Sequence, residues 1–534
     1  MRPAAQQAQP NAPGFRQRMG ALHTWCGVLF GGFLFAIFLT GTLSVFDREV
    51  DRWAQPHTRL PAPAAGEMPS LDQALPHLSR LAPEQATLWL IYPPGDRVPT
   101  LRLGWSGEHI ERSYRDLNPF SATLLPEQGA PLGTQLFYPF HHSLHLTWLD
   151  LGEWLVGLAA MAMLVGIVSG VATHRRIFKD FFTFRPRKTL QRSALDLHNV
   201  TAVFALPFLF LIPLSGLIIF AAVYLQPAIA WVYGPERGAY TKEALSRYSR
   251  APAKAALSHR ASLDEMAVQA RAHWAASGQP GEVGLVIVRQ PHDAKAVVEM
   301  RRASGARVGL EHGTLYFDAA SGALLHAEAL PTVSRVQRFI VGMHLIQFHH
   351  GTLRWLYFAL GLSGCVMLAT GSIVWVQKRA QRHALPGQSG VRWMQALTLA
   401  AVCGPLLASV GVMLLNCLPH AWWTFDASPL QASMRWFFGL WSASLLHAVW
   451  MRHGTRHVAQ QCMALAVTAV TTIAANLLLN SGSAWEPWPG SHPAALGVNT
   501  GLLLVAAGAA LIARRQLRGQ RAHRDAHGFS KAAA

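Results

Sequence analysis

Residues 22–46 read LHTWCGVLFGGFLFAIFLTGTLSVF, and residues 197–220 read LHNVTAVFALPFLFLIPLSGLIIF. Both open with Leu-His and both carry Phe-Leu-Phe at the same offset (33–35 and 208–210). Both also reach a small residue followed by Gly at the same distance from the histidine, His23 to Gly41 and His198 to Gly216. An imidazole is costly at the edge of an apolar span. Written twice in one register it is not an accident of composition, so the two stretches read as a duplicated membrane unit whose histidines hold something.

The whole chain supports a membrane reading. Of 534 residues 51% are hydrophobic and only 14% charged, with a mean hydropathy of +0.20, too apolar for an ordinary soluble protein. The formal charge of +18 would suit a nucleic-acid ligand, but the basic residues flank apolar runs, as the positive-inside bias requires, and no nucleic-acid partner is expected. All five cysteines (Cys26, Cys365, Cys403, Cys417, Cys462) fall inside apolar runs, which gives neither a disulfide framework nor a thiolate metal site. Cys-x-x-Cys-His is absent, so any haem must be held by axial ligands and packing.

The expected order is a cytoplasmic tail (1–18), a first span (19–46), an outer segment (47–150), a second span (151–174), a basic link (175–197) and a third span (198–224). A second outer segment (225–340), a fourth span (341–377) and a short link (378–395) follow. A four-helix membrane extension (396–515) with spans near 396–417, 434–450, 458–480 and 494–513, and a tail (516–534), complete a count of eight. The first span is too long for a cleaved leader and reads as an anchor. Basic clusters at Arg175, Arg176, Lys179, Arg185, Arg187, Lys188 and Arg192, then Lys378, Arg379 and Arg382, Arg452 and Arg456, and Arg514 and Arg515 share one side if both termini are cytoplasmic. The two long segments then lie outside. Each offers a helix-like stretch (71–81; 262–276), strand-like alternations (87–92 and 100–103; 284–289 and 296–301) and a closing hairpin-like phrase (114–125; 316–325), so two small α+β domains are expected. Trp154 and Trp355 open the second and fourth spans, and Ser169-Gly170 matches Thr370-Gly371 at the same shift, so the duplication takes in span, domain and span. The expected fold is an α-helical membrane protein with a duplicated four-helix core of approximate twofold symmetry, two outer domains and about four further helices.

By depth the histidines fall into two groups. His23, His174 and His198 lie at the cytoplasmic ends; His141, His142, His145, His344, His349 and His350 lie at the outer ends. Two layers of facing imidazoles in a four-helix bundle are what two stacked bis-histidine haems require. A lone histidine is better explained as an interfacial residue beside lipid headgroups, but the repeat makes ligation the stronger reading for His23 and His198. His174, whose counterpart is Trp375, is kept as a third candidate, with two of the three expected to bind iron. At the outer end His145 and His344 are the expected pair, each some ten residues before its Trp, with His142 and His349 as alternates and His141 and His350 as surface residues. A helix from residue 145 to 174 is about 43 Å long at ~1.5 Å per residue, against a bilayer core of ~30 Å. The outer histidines therefore sit at the membrane surface, within reach of an acceptor too polar to enter it.

Asp47, Glu49, Asp51, Asp150 and Glu153 border spans and read as solvating carboxylates rather than a cation site. The basic, aromatic link after His174 reads as an interfacial helix. Its arginines also suit a docked reductant or haem propionates. No phosphate loop, dinucleotide fingerprint, zinc-protease helix or nucleophile elbow is present.

The phrases LHTWCG (from 22), LHLTWLDLGEWLVGL (from 144), HRRIFKDFFTFRPRKTLQRSALDLHN (from 174), LPFLFLIPLSGL (from 206), TLYFDAASGALL (from 314) and RWLYFALGLSG (from 354), in this order, resemble the PepSY-associated transmembrane family of bacterial inner-membrane proteins over about residues 15–385. The resemblance implies periplasmic PepSY-type domains, two haems b and reduction of ferric siderophores, with motif histidines at His23, His145, His174, His198 and His344. The spans after about 390 depart from its four-span pattern. The expectation is thus an inner-membrane ferric-chelate reductase, with a ferric siderophore or other Fe(III) chelate as acceptor, a cytoplasmic or quinol electron donor, and membrane lipid around it. Two alternatives stand beside it: a haem-free anchored sensor or peptidase regulator binding peptide through its outer domains, and a transporter of an iron chelate or copper.

Overall fold

The computed structural model describes residues 13–61, 68–126, 129–174, 185, 188–234, 237–305, 307–382, 389–453, 456–480 and 492–532. Arg175, Arg176, Lys179 and Arg187 of the basic link lie outside the described residues.

Helix α1 (Phe15–Ser44) begins before the expected span, so the end of the predicted tail is helical. It leads into the short α2 (Asp47–Ala54). After α3 (Ala74–Leu81), strands β1 (Leu88–Tyr92), β2 (Leu101–Ser106) and β3 (Ser113–Leu117) precede the short α4 (Tyr138–Ser143) and the apolar α5 (Leu151–Thr173). Helices α6 (Leu190–Phe204) and α7 (Leu206–Ile219) form an apolar pair bent by 67° at Ala205. The bend falls where Pro207 opens α7 and lacks the N–H that would continue the ladder. Next come α8 (Leu263–Ala276), β4 (Val283–Arg289), β5 (Val297–Arg302), β6 (Leu315–Asp318), β7 (Leu324–Ala327), α9 (Thr332–Leu345) and α10 (Gly351–Arg382). The last four helices are α11 (Ser389–Cys417), α12 (Pro429–Trp450), α13 (His457–Leu479) and α14 (Pro493–Ala532).

Among the described residues six helices are long and apolar enough to cross a membrane, seven spans if the bent pair is one. The sixth expected span, near 434–450, corresponds to α12. It has the length, but Trp436, Trp441, Trp450, Arg435 and His447 dilute its apolar character and it is not among the six. In the core α1 packs along α5 and α10, and α6 along α10, so the two copies of the repeat share one helical body.

The outer segments depart from the expectation of two separate domains. Their strands form one antiparallel sheet in the order β3-β2-β1-β4-β5-β6-β7. β1 pairs β4 from Leu88 opposite Arg289 to Ile91 opposite Val286. Each half-sheet would otherwise end in an open edge at β1 or β4, and the pairing covers both. Residues alternating along five strands (Trp89 and Ile91, Leu101 and Leu103, Val286 and Val288, Val298 and Met300, Leu315 and Phe317) face one way and meet α3 and α8 in a single core. A reciprocal exchange joins the two helix starts. Asp264 accepts from Ser70 Oγ and the Leu71 N–H (2.7 Å), and Asp72 accepts from Ser262 Oγ and the Leu263 N–H (2.7 Å).

The C-terminal helices lean on the first outer loop. Asn416 on α11 both accepts from the Ala130 N–H (2.9 Å) and donates to the Ala130 carbonyl (3.1 Å), and His420 accepts from the Gly129 N–H (3.0 Å). Phe140 on α4 is buried against Phe437, Phe438 and Trp441 of α12.

Candidate functional site

Four buried hydroxyl residues, each followed by glycine, recur on four spans: Thr40-Gly41 on α1, Ser169-Gly170 on α5, Ser215-Gly216 on α7 and Thr370-Gly371 on α10. Each hydroxyl donates chiefly to the carbonyl four residues earlier and, in a forked bond, also reaches the one three residues earlier: Thr40 to Ile37 (3.2 Å), Ser169 to Gly166 (3.1 Å), Ser215 to Ile212 (3.0 Å) and Thr370 to Met367 (3.1 Å). The same four carbonyls each meet a histidine Nδ1. His141 lies 2.9 Å from Ile37, His23 2.7 Å from Gly166, His344 2.9 Å from Ile212 and His198 2.8 Å from Met367. The glycine makes room for the ring. A Cβ on Gly41 would lie 2.6 Å from His141, and one on Gly170, Gly216 or Gly371 would lie 3.0 Å from its histidine.

A carbonyl only accepts, so these bonds place the proton on Nδ1 and leave Nε2 with its lone pair, the nitrogen offered to a metal. The four rings stand in two pairs. His23 and His198 have ring centres 6.2 Å apart with planes at 72°, and His141 and His344 5.9 Å apart at 28°. Two metal–nitrogen bonds of ~2.0 Å, with ~1.1 Å more from each nitrogen to its ring centre, separate two imidazoles on opposite sides of one metal by roughly 6.2 Å. Both pairs fit a single bis-histidine iron. They also lie at two depths, since residues 23 and 41 of α1 are about 27 Å apart at ~1.5 Å per residue. Around the outer pair is a cavity of about 290 Å³ whose apolar walls include Phe38, Val156, Met163, Pro213 and Phe220.

The geometry selects among the sequence candidates. His23 and His198 face each other; His174 is exposed at the end of α5, within electrostatic reach of His198 but outside the pair. His344 is paired, but with His141 instead of His145, and His141 is no surface residue. His145 turns back with Nε2 on the Leu136 carbonyl (2.9 Å), its backbone in the left-handed region at φ 56°. His142 packs on Tyr138 and lines the cavity wall. His349 is half exposed, 3.9 Å from Asp96, and His350 is exposed. The sequence signal for His141 was the Thr40-Gly41 pair that receives it.

The acidic candidates serve structure. Asp47 and Glu49 hold Arg97 (2.8 Å each), and Glu49 also holds Arg354 (2.9 Å). Asp51 accepts from the Gly133 and Thr134 N–H groups and the Thr134 hydroxyl, and burial pushes its carboxyl up to about 6. Asp150 is exposed, and Glu153 borders the outer cavity. Among the described residues no group of three or more His, Cys, Asp or Glu is gathered as a metal cage, but a bis-histidine site needs only two.

A family model described as the PepSY-associated TM region matches residues 21–378. An uncharacterized protein of Pseudomonas aeruginosa is 28% identical over 321 residues, a match that covers 56% of this chain and 75% of the relative. The family match ends inside α10, so the four paired histidines and their glycines all fall within it and the last four helices fall outside.

Proposed function

The chain belongs to the family of the PepSY-associated TM region, and on that footing we propose that it is a bacterial inner-membrane conduit. It would hold one b-type haem between His23 and His198 and another between His141 and His344, and deliver electrons to an Fe(III) chelate outside the membrane. One observation carries the reading: four imidazoles are paired at two depths, each with Nδ1 engaged by a main-chain carbonyl beside a glycine. When bound, the two haems would supply one-electron carriage across the bilayer. The chain's own residues do the positioning. The carbonyls of Ile37, Gly166, Ile212 and Met367 keep the proton on Nδ1 and fix each ring plane, and the neighbouring hydroxyls fix the carbonyls. Apolar walls keep water from the outer pair. A cytoplasmic or quinol donor would approach at the inner face, where His174 is exposed. The substrate iron takes one electron and becomes Fe(II), a less charged ion that hard-oxygen chelators hold weakly, so it is released.

Pure protein is expected to show a reducible b-type spectrum with two haems per chain. His198→Ala and His141→Ala should each leave one haem, and His145→Ala should leave both. Colourless protein after expression with ample porphyrin, or full stoichiometry in His198→Ala, overturns the proposal. Uptake of labelled chelate into vesicles without reduction outside them would favour a transporter instead.

A further inference from the structure

The face of the outer sheet turned away from its apolar core holds a second cavity, of about 260 Å³. Val298 and Met300 of β5 and Leu315 and Phe317 of β6 point into the core. The alternation therefore turns Glu299, Arg301 and Tyr316 the other way, into this cavity. Ile219 and Val341 also line it, and both tie it to the outer histidine pair. Ile219 lines the cavity at His141 and His344 as well, and Val341 lies on α9 about one turn before His344. The two cavities are neighbours, one apolar at the membrane surface and one charged above it.

The charged cavity is organised around two buried carboxylates. Glu299 has 2% side-chain exposure and is gripped by Arg289 (2.7 Å) and Arg301 (2.6 Å). Glu328 has 3% and pairs with Arg338 (3.2 Å), which also donates to the Leu310 carbonyl (3.2 Å). Burial alone would raise the Glu299 carboxyl, but the arginines hold it below its ordinary value. Burial pushes His312, also in the lining, down toward its neutral form. Arg247, exposed, is the fourth guanidinium of the group. Arg289 grips Glu299 but does not line the cavity; the three arginines that do, against two glutamates, leave one positive charge in excess, and the glutamates fix the forks of Arg301 and Arg338 before any ligand arrives. Guanidinium forks match carboxylates in pairs of parallel N–H···O bonds. A cavity of this size admits a small ligand only.

We infer that this cavity binds a small anion with several carboxylates, of the hydroxycarboxylate type, and that an anionic Fe(III) hydroxycarboxylate is the substrate class docked above the outer pair. The second clause rests on the electron-transfer reading above. A cationic hydroxamate chelate would bring its charge against the guanidiniums and is the wrong class for the site.

The test is equilibrium dialysis of the full-length, haem-reconstituted protein in detergent against Ga(III)–citrate, a redox-inert stand-in for the ferric chelate. The wild type should retain it, less so as salt rises. Arg247→Gln should weaken retention at least about tenfold, and Arg247→Lys should restore part of it. Arg247 is chosen because replacing it uncovers neither buried carboxylate. Equal retention by wild type and Arg247→Gln, or preference for a cationic gallium hydroxamate, overturns the site. Retention of free citrate without the gallium chelate keeps the anion site and refutes the chelate as its occupant. Dialysis needs no electron transfer, so colourless protein that still retains the chelate would sink the haem assignment alone, and haem-loaded protein that ignores it would sink this site alone.

Discussion

Each paired imidazole is fixed by a carbonyl, a hydroxyl and a missing methyl group. Glycine inside a helix costs up to ~1 kcal/mol relative to alanine, so four glycines at the four contact points have a steric purpose. At Gly41 the added Cβ would sit 2.6 Å from two ring atoms of His141, and something must shift. Gly41→Ala is therefore expected to destabilise the protein by ~1–3 kcal/mol and to lower the haem-to-protein ratio. Gly27→Ala on the same helix, where a Cβ meets nothing within 4 Å, should be neutral in both. Thermal unfolding and pyridine haemochrome assays check this, and equal behaviour of the two variants would refute it. The hydroxyl-glycine pairs were legible in the sequence as a repeat, and so were His23 and His198. His141 was not, because the first outer loop has two more residues between His141 and Trp154 than the second has between His344 and Trp355. A spacing of some ten residues before each tryptophan, nine for His145 and eleven for His344, therefore passed over His141.

Among elements, α2 is the joint between the membrane and the outer layer, and its charges set an acid limit. Burial raises the Glu49 carboxyl, but Arg97 and then Arg354 more than reverse this and bring it down to about 2, from an ordinary 4.5. A depressed folded-state value means that the ion pairs stabilise the fold fully above pH 4.5 and lose that contribution as pH falls toward 2. Melting temperatures across this range should fall more steeply for the wild type than for Glu49→Gln; parallel curves would contradict the account. The four helices after residue 389 had no role legible in the sequence, since their contacts with Gly129, Ala130 and Phe140 join positions far apart in the chain. In the structure α11 and α12 brace the segment that presents His141, while α13 and α14 hold α2 through Trp53.

At the scale of the whole molecule, a sheet drawn from both long segments between the apolar helices ties the two halves of the chain together. The strands were legible from alternation, but their pairing was not: β1 meets β4 across nearly two hundred residues, and a period-two pattern says which face is buried, not which strand lies alongside. The exchange between Asp72 and Asp264 makes the two halves depend on each other. Asp264→Ala, which strips partners from Ser70 and the Leu71 N–H, should cost ~1–2 kcal/mol. It should speed hydrogen exchange in β1–β3 as well as in β4–β7, and a change confined to the second half would refute this coupling. The bracing of α4 also makes the outer pair unequal. His141 comes from a short helix wedged against α12, whereas His344 comes from α9, where Val333, Val336 and Phe339 are exposed. One jaw of the clamp is braced by α12 and the other leaves part of its apolar face uncovered, so, on the haem reading, a flat guest would be admitted from the side of α9.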